Sequence, residues 1–370
     1  MRSLSLVSDA HVPCGVEHFA RTLASRLADR APGDHDTMAL TGQPGETAVL
    51  RRGLTNRDTL IVNFPVVAWK RQLVSPLRAM ATARRSGVRV LLVLHEWADL
   101  DWKRRLALLP ALRLADRVLV SSPLVRDGLS SDRASRLMRN TAGLVPIPPN
   151  LRAPAALPAT PLSQQLEQLK VSGALLVGTF GAIYPKKQPT AVLDIVAALR
   201  AQGRDAHAVF VGDFVRGGSI DPEAGLAAAA AERGLTGKTS VTGFIGPADE
   251  LFAALSRLDV LVYDFAEGLT SRRGSVLAAM QSGRPVLVNG SRRADEFDHH
   301  PTYRRAIASG ALTLLPPAAP ATAFADAIVT AVARSASAGP SIDFDAAWSD
   351  AVDAVSGSLR LDTGPSSSTA

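Results

Sequence analysis

The densest grouping of chemistry-bearing side chains is Glu267-Gly268-Leu269-Thr270-Ser271-Arg272-Arg273-Gly274-Ser275. Paired guanidinium groups among small residues suit recognition of a phosphate or diphosphate, because arginine offers a planar fork of donors to phosphate oxygens. The run follows the apolar stretch Val260–Tyr263 and opens a helical one over Ser275–Gly283. Such a junction leaves backbone N–H groups free for an anion, and Ser271 is placed to cap the helix. The plainer reading is a capped helix carrying two solvated arginines.

Other candidates also follow apolar, strand-like runs. Gly181-Ala182-Ile183-Tyr184-Pro185-Lys186-Lys187-Gln188-Pro189 brings a lysine to a strand–helix loop, where it could reach a phosphate; loops also carry lysines for no such purpose. Pro13-Cys14-Gly15-Val16-Glu17-His18 puts Gly15 at the start of a helix, where a ligand can approach the backbone. It is neither a dinucleotide fingerprint nor a P-loop. His95-Glu96 ends the apolar run Val88–Leu94, so His95 could serve acid–base chemistry or donate to a sugar hydroxyl, or be a structural histidine satisfied by backbone. Asp34-His35-Asp36 and His299-His300 have ligand-type side chains, but in polar, loop-like stretches without helical i,i+4 spacing. No metal site is expected from them.

These candidates have to be positioned by a repeated strand–helix rhythm. Leu4–Val7, Thr59–Val62, Val88–Leu94 and Arg117–Val120 read as strands, with helices over Glu17–Ala28, Pro76–Arg85 and Lys103–Asp116, the last of them amphipathic. Residues 146–163, rich in proline and alanine, read as a linker. The rhythm then restarts with strands at Ala174–Phe180, Ala206–Gly212, Ser240–Thr242, Val260–Tyr263 and Pro285–Val288. Helices are expected over Gln188–Gln202, 222–233, Asp249–Arg257, Ser275–Gly283, 321–335 and Phe344–Leu359, and the tail from 361 is expected to be disordered. Alternation of this kind means βαβ units and parallel sheets, with ligands held beyond the carboxyl ends of the strands.

Composition agrees with that class and removes others. The 370 residues, 46% hydrophobic and 20% charged, suffice for about two cored domains. A single cysteine, Cys14, excludes an internal disulfide framework and a cysteine-based zinc site, and fits a reducing, cytoplasmic setting. No apolar run is long enough to span a bilayer, and the segment Met1–Asp9 is too short and too soon interrupted for a signal peptide. The net charge of +7 is uneven: residues 1–150 hold 22 basic and 13 acidic side chains, +9, which leaves −2 for the rest. The first half therefore calls for an anionic membrane surface or a phosphorylated substrate, unless it is merely solvated. Nucleic acid is not expected, because no finger, helix-turn-helix or aromatic-interleaved basic strand is present.

Taken in order, these motifs resemble the group 1, family 4 type of GT-B glycosyltransferases. Pro13-x-Gly15-Val16-Glu17 is similar to the first glycine loop, and His95 to the strand-end histidine. Ala115–Ser122 and Pro146-Ile147-Pro148-Pro149-Asn150 are similar to the family segments leading to the linker. Gly181–Lys187, Val211-Gly212-Asp213, Val241-Thr242-Gly243-Phe244-Ile245, Leu258-Asp259-Val260 and Ala279-Met280-x-x-Gly283-x-Pro285-Val286 continue the series, so the likeness runs from about residue 5 to 358. Two departures stand out. Ala182 occupies the place of the loop arginine, and Thr270 and Ala278 occupy those of the paired glutamates, which resembles a variant subgroup with Ser-x-Arg-Arg-Gly-Ser-type residues before the helix.

The resemblance implies an α/β fold of two Rossmann-like domains facing a cleft. An acceptor domain is expected over 1–150, a linker over 151–173, a nucleotide-sugar domain over 174–340 and a helix over 341–360 returning to the first domain. It implies a retaining hexosyl transfer without a metal or a cofactor beyond the nucleotide-sugar co-substrate. The expected donor-diphosphate residues are Lys187, Ser271, Arg272, Arg273, Gly274 and Gly15. Gly243, Phe244, Ile245 and Ser275 are expected to bind the nucleotide, and His95 and Glu267 to be catalytic. The acceptor would be a glycan, glycolipid or polysaccharide precursor at the inner face of the plasma membrane. The rival readings are a non-catalytic GT-B subunit assisting another transferase, a nucleotide-sugar 2-epimerase, and a two-lobed small-molecule binding protein.

Overall fold

The computed structural model describes residues 2–10, 14–215, 221–334 and 342–360. The tail from 361, expected to be disordered, and Pro13 of the first glycine loop lie outside the described residues. The chain forms two compact units: residues 1–150 with 298–300 and the chain from Asp345, and residues 151–297 with 301–344.

The first unit runs β1 Ser3–Ser8, α1 Gly15–Arg30, β2 His35–Leu40, α2 Glu46–Gly53, β3 Thr59–Phe64, α3 Val74–Arg85, β4 Arg89–Leu94, α4 Trp102–Leu114, β5 Arg117–Val120, α5 Pro123–Ser130 and β6 Gly143–Leu144. Its sheet has the order β2-β1-β3-β4-β5-β6, and the pairings are parallel. The all-apolar run Val90–Leu94 makes β4 a central strand buried on both faces, as parallel sheets require. β2 was not expected. His35-Asp36-Thr37-Met38 reads as polar loop, yet it pairs along the edge of β1, where one flank faces solvent and polar residues cost little. The two metal-like clusters also have other partners: His35 bonds Ser3 at 2.6 Å, Asp36 pairs with Arg57, and His300 is buried against the Ile147 carbonyl oxygen at 3.0 Å.

The second unit runs α6 Pro161–Val171, β7 Leu175–Phe180, α7 Pro189–Ala201, β8 Ala206–Val211, α8 Pro222–Glu232, β9 Thr239–Val241, α9 Ala248–Leu255, β10 Val260–Tyr263, α10 Gly274–Met280, β11 Val286–Asn289, α11 Pro301–Ala308, β12 Leu312–Leu315 and α12 Ala321–Arg334. Its parallel sheet has the order β12-β11-β10-β7-β8-β9. α6 falls inside the stretch read as linker. Pro161 occupies its first turn, where no N–H is needed, and Thr160 and Ser163 cap it reciprocally.

The last helix, α13 Phe344–Arg360, buries Ala347, Trp348, Ala351, Val352, Val355 and Leu359. In the first unit Trp348 Nε1 donates to the Pro149 carbonyl at 3.1 Å and its ring lies 5.6 Å from Phe19. Arg26 and Arg30 of α1 pair with Asp345 and Asp353 of α13, at 2.6 and 2.5 Å.

Candidate active site

In the second unit, three loops at the carboxyl ends of β7, β8 and β10 converge. Gly181 follows β7 with φ +117°, and Gly212 follows β8 with φ +151°; a Cβ on Gly212 would sit 2.3 Å from the Gly181 carbonyl oxygen. Only glycine lets these two backbones touch. Past Gly181 the chain makes a 3-10 turn, Pro185–Lys187, and Gln188 in the left-handed region (φ +47°) redirects it into α7. The turn folds Lys187 back so that its Nζ lies 2.6 Å from where a Gly181 Cβ would be. The Cβ of Ser275 is 3.8 Å from that same point, so the lysine and serine loops meet there.

The loop after β10 is fixed at both ends. Gly268 (φ +77°) passes so close to Gly290 that a Cβ would lie 2.2 Å from its carbonyl oxygen. The Asn289 side chain accepts from Phe265 N at 2.8 Å and donates to Phe265 O at 2.7 Å. Ser271 is fully buried, and its N–H and hydroxyl both donate to Glu296 Oε1 at 2.8 Å. Tyr303 Oη donates to the Arg273 carbonyl at 2.8 Å. Arg273 pairs with Glu267, and its guanidinium lies 4.5 Å from the centre of the Phe265 ring.

This arrangement corrects two expectations. Ser271 does not cap α10: the residue at the helix start is Arg273, without a side-chain cap, and Ser271 lies two residues earlier, with its hydroxyl directed to Glu296. α10 itself has seven residues, too short for its dipole to carry an anion site, so charge recognition falls on side chains. Glu267, expected to be catalytic, is the counter-ion of Arg273. Thr270 and Ala278, at the family glutamate positions, are buried at 3% and 0% exposure.

Electrostatics single out Lys187. Burial and the nearby positive charge of Arg273 push its pKa down to about 8. Like charges held together in a half-dry site disfavour each other, and an anion among them relieves the cost. Glu296 is pushed the other way, its pKa raised by burial. No motif pointed to Glu296. It lies 25 residues beyond Ser271, and the one legible hint was an acidic side chain soon after an apolar strand.

At the end of β9, Thr242 Oγ1 accepts from Gly212 N at 3.1 Å and donates to Gly243 O at 2.9 Å, tying this loop to the glycine pair. Gly243 has φ +74°, Phe244 is 81% exposed, and Ile245 packs partly on the core. Gly274 is the first residue of α10, and Arg272 flanks Arg273 in the same loop.

Two expected residues belong to the first unit. His95 is 8% exposed, packs edge-on to Phe19 at 4.9 Å, and has Nε2 3.1 Å from Asn63 Oδ1. Burial pushes its pKa down to about 3, so the ring is neutral at physiological pH. Gly15 is exposed at the start of α1, and a Cβ there would meet nothing within 4 Å. Beside it Glu17 is buried at 5%, accepting from Ser8 N at 2.9 Å and pairing with Arg21 at 2.8 Å.

Residues 174–334 match the family described as glycosyl transferases group 1. That match covers less than half of the chain, and the pair of parallel α/β units gives the whole of it the GT-B fold. In fold, the chain is similar to Anabaena HepE, solved in complex with UDP and glucose, at 19% identity and TM-score 0.63 over 96% of this chain and 97% of that one. It is likewise similar to sucrose-phosphate synthase from Thermosynechococcus elongatus, at 17% identity and TM-score 0.55 over 96% and 94% of the two chains. A glycosyltransferase from Rickettsia africae matches at 13% identity and TM-score 0.55, over 97% and 95%. No curated protein matches the chain by sequence.

Proposed function

We propose that the second unit binds a nucleotide-diphosphate sugar and that the enzyme passes its hexose to a glycan, glycolipid or polysaccharide-precursor acceptor with retention of configuration. The observation that carries this reading is the meeting of the Lys187 and Ser275 loops at Gly181, at the carboxyl edge of the sheet, where burial and the charge of Arg273 depress the lysine pKa. When the bond from the anomeric carbon to the diphosphate breaks, its electron pair goes to a phosphate oxygen. Fixed cations there stabilise the transition state more than the ground state. Lys187, Arg272 and Arg273 supply that charge, in place of the arginine whose position Ala182 holds. Ser271 acts through the backbone, as the residue Glu296 uses to hold the loop.

Gly243, Phe244 and Ser275 are assigned to the nucleoside: the exposed Phe244 ring offers a face for a base. Fold relatives solved with UDP and glucose make uridine nucleotides the first to try. Glu267 orients Arg273. The basic first unit suits an acceptor carrying phosphate or a lipid, with Gly15 and His95 on that side. Metal and cofactor play no part in the reading, because the arginines and lysine supply the cationic charge.

A second reading, a non-catalytic GT-B subunit, is favoured by the buried Thr270 and Ala278 where the family glutamates would stand. Donor turnover separates the readings. Incubation of the full chain with a panel of nucleotide sugars and membrane-extracted acceptors should release the nucleoside diphosphate in an acceptor-dependent way. Tight donor binding without turnover supports the subunit reading, and donor isomerisation without acceptor the epimerase.

A further inference from the structure

We propose that the outer flank of α4, continued by the exposed side of α3, is a docking surface for an anionic lipid membrane. α4 was expected to be amphipathic in the usual sense, with a polar face outward. Its inner face is indeed apolar, with Leu108, Ala111 and Leu112 buried. Its outer face mixes large apolar side chains with basic ones: Trp102 is 69% exposed and Leu106, one turn on, is 58% exposed. Pro110 continues that row at i,i+4 spacing, and the exposed Arg113 falls on the same face. Lys103, also exposed, has its ammonium 5.6 Å from the Trp102 ring centre.

α3 packs against α4 and adds a second row. Val74 is 65% exposed, and Arg78 and Arg85 are exposed at spacings that share its face. Neither helix contains an acidic residue. Three neighbouring carboxylates engage other basic residues of the two helices: Asp101 caps α4 and pairs with Arg104 at 3.1 Å, Asp132 lies 3.8 Å from Arg105, and Asp116 pairs with Arg84. Lys103, Arg113, Arg78 and Arg85 make up the outer rows.

Charge chooses the occupant. A helix lying in the membrane interface presents tryptophan and aliphatic side chains to the acyl boundary and lysine or arginine to headgroups. α4 and α3 present those types together. A second copy of the chain would bring the same cationic rows face to face and be repelled. The basic excess of residues 1–150 adds a long-range pull toward anionic lipid, which salt screens. This extends the acceptor side of the proposed function, but it is tested without donor or acceptor, so either can fail alone.

The structure supplies a reporter. Of the four tryptophans, Trp69, Trp97 and Trp348 are 3%, 1% and 1% exposed, so solvent-sensitive emission comes from Trp102. The full chain is mixed with vesicles of phosphatidylcholine, with or without phosphatidylglycerol. Binding, a blue shift and protection from iodide are expected only with phosphatidylglycerol, and should weaken with salt. Trp102→Ser with Leu106→Ser should lower vesicle partitioning by roughly tenfold or more. Lys103→Glu with Arg113→Glu should abolish the preference for phosphatidylglycerol. All four side chains are exposed, and an unchanged melting temperature verifies that the variants fold. Absence of vesicle binding, equal binding by the Trp102/Leu106 variant, or a blue shift that grows with protein concentration without vesicles would overturn the proposal. The last of these would assign the face to self-association.

Discussion

If Lys187 and Arg273 hold a diphosphate, binding of a nucleotide sugar must draw a proton onto the enzyme. Free Lys187 has its pKa lowered to about 8 by burial first and by Arg273 second. A dianionic ligand beside the ammonium favours the charged form and returns the pKa toward the ordinary lysine value. The folded-state pKa is depressed, so the proton is missing above about pH 8 and present below it. At pH 7 about a tenth of the lysines are neutral, and at pH 8.5 about three-quarters. Binding should therefore take up about 0.1 proton at pH 7 and about 0.75 at pH 8.5, and affinity should fall about fourfold between those values. A nucleotide sugar is the right probe, because its esterified diphosphate does not titrate in this range. Calorimetry in two buffers of different ionisation enthalpy reads the uptake directly. Arg273→Ala removes one cause of the shift, so uptake at pH 8.5 should shrink although binding weakens. Uptake equal at both pH values, or unchanged in Arg273→Ala, would refute the coupling.

Other consequences are simpler to read. Glu296→Ala strands the buried N–H and hydroxyl of Ser271 and should cost about 2–4 kcal/mol in urea unfolding after relief of the carboxylate's own burial; Glu296→Gln keeps an acceptor and should cost about 1 kcal/mol. Gly181→Ala pushes on the flexible end of Lys187 and forces alanine onto φ +117°, so it should weaken donor binding and also lower the melting temperature. Gly212→Ala collides with rigid backbone and should chiefly lower the melting temperature. His95, with its folded pKa lowered to about 3, contributes stability that is present above the ordinary histidine value and lost as pH falls below it. At pH 5 that loss is about 2 kcal/mol, and it should be absent in His95→Asn; imidazole NMR signals from His95 that titrate near pH 6.5 would contradict it.

The sequence announced the interior of each sheet better than its margins. β4 and β10 are apolar runs that only a buried parallel strand accommodates. β2 was illegible because an edge strand need not be apolar. α6 hid in a proline-rich stretch, where Pro161 marks a helix start rather than a break. The arginine motif was visible as charge, but not the route that fixes it: Ser271 reads as a cap, yet it lies two residues before the helix start at Arg273 and gives its hydroxyl to a carboxylate 25 residues away. Glu267 and Arg273, six apart, pair only because Gly268 turns the chain between them. The hydrophobic spacing in α4 was read as a single buried face. The exposure of Trp102 and Leu106 depends on neighbours that spacing does not reveal.

The most direct test of the central claim is calorimetric titration of the full chain at pH 7 with uridine, UDP and a panel of nucleotide sugars, beside an Arg273→Ala variant of unchanged melting temperature. The account predicts that UDP or one nucleotide sugar binds, that the bare nucleoside does so far more weakly, and that Arg273→Ala loses roughly tenfold or more of the diphosphate affinity. Equal affinity of wild type and variant for the diphosphate would contradict it, as would binding that does not distinguish nucleoside from nucleoside diphosphate.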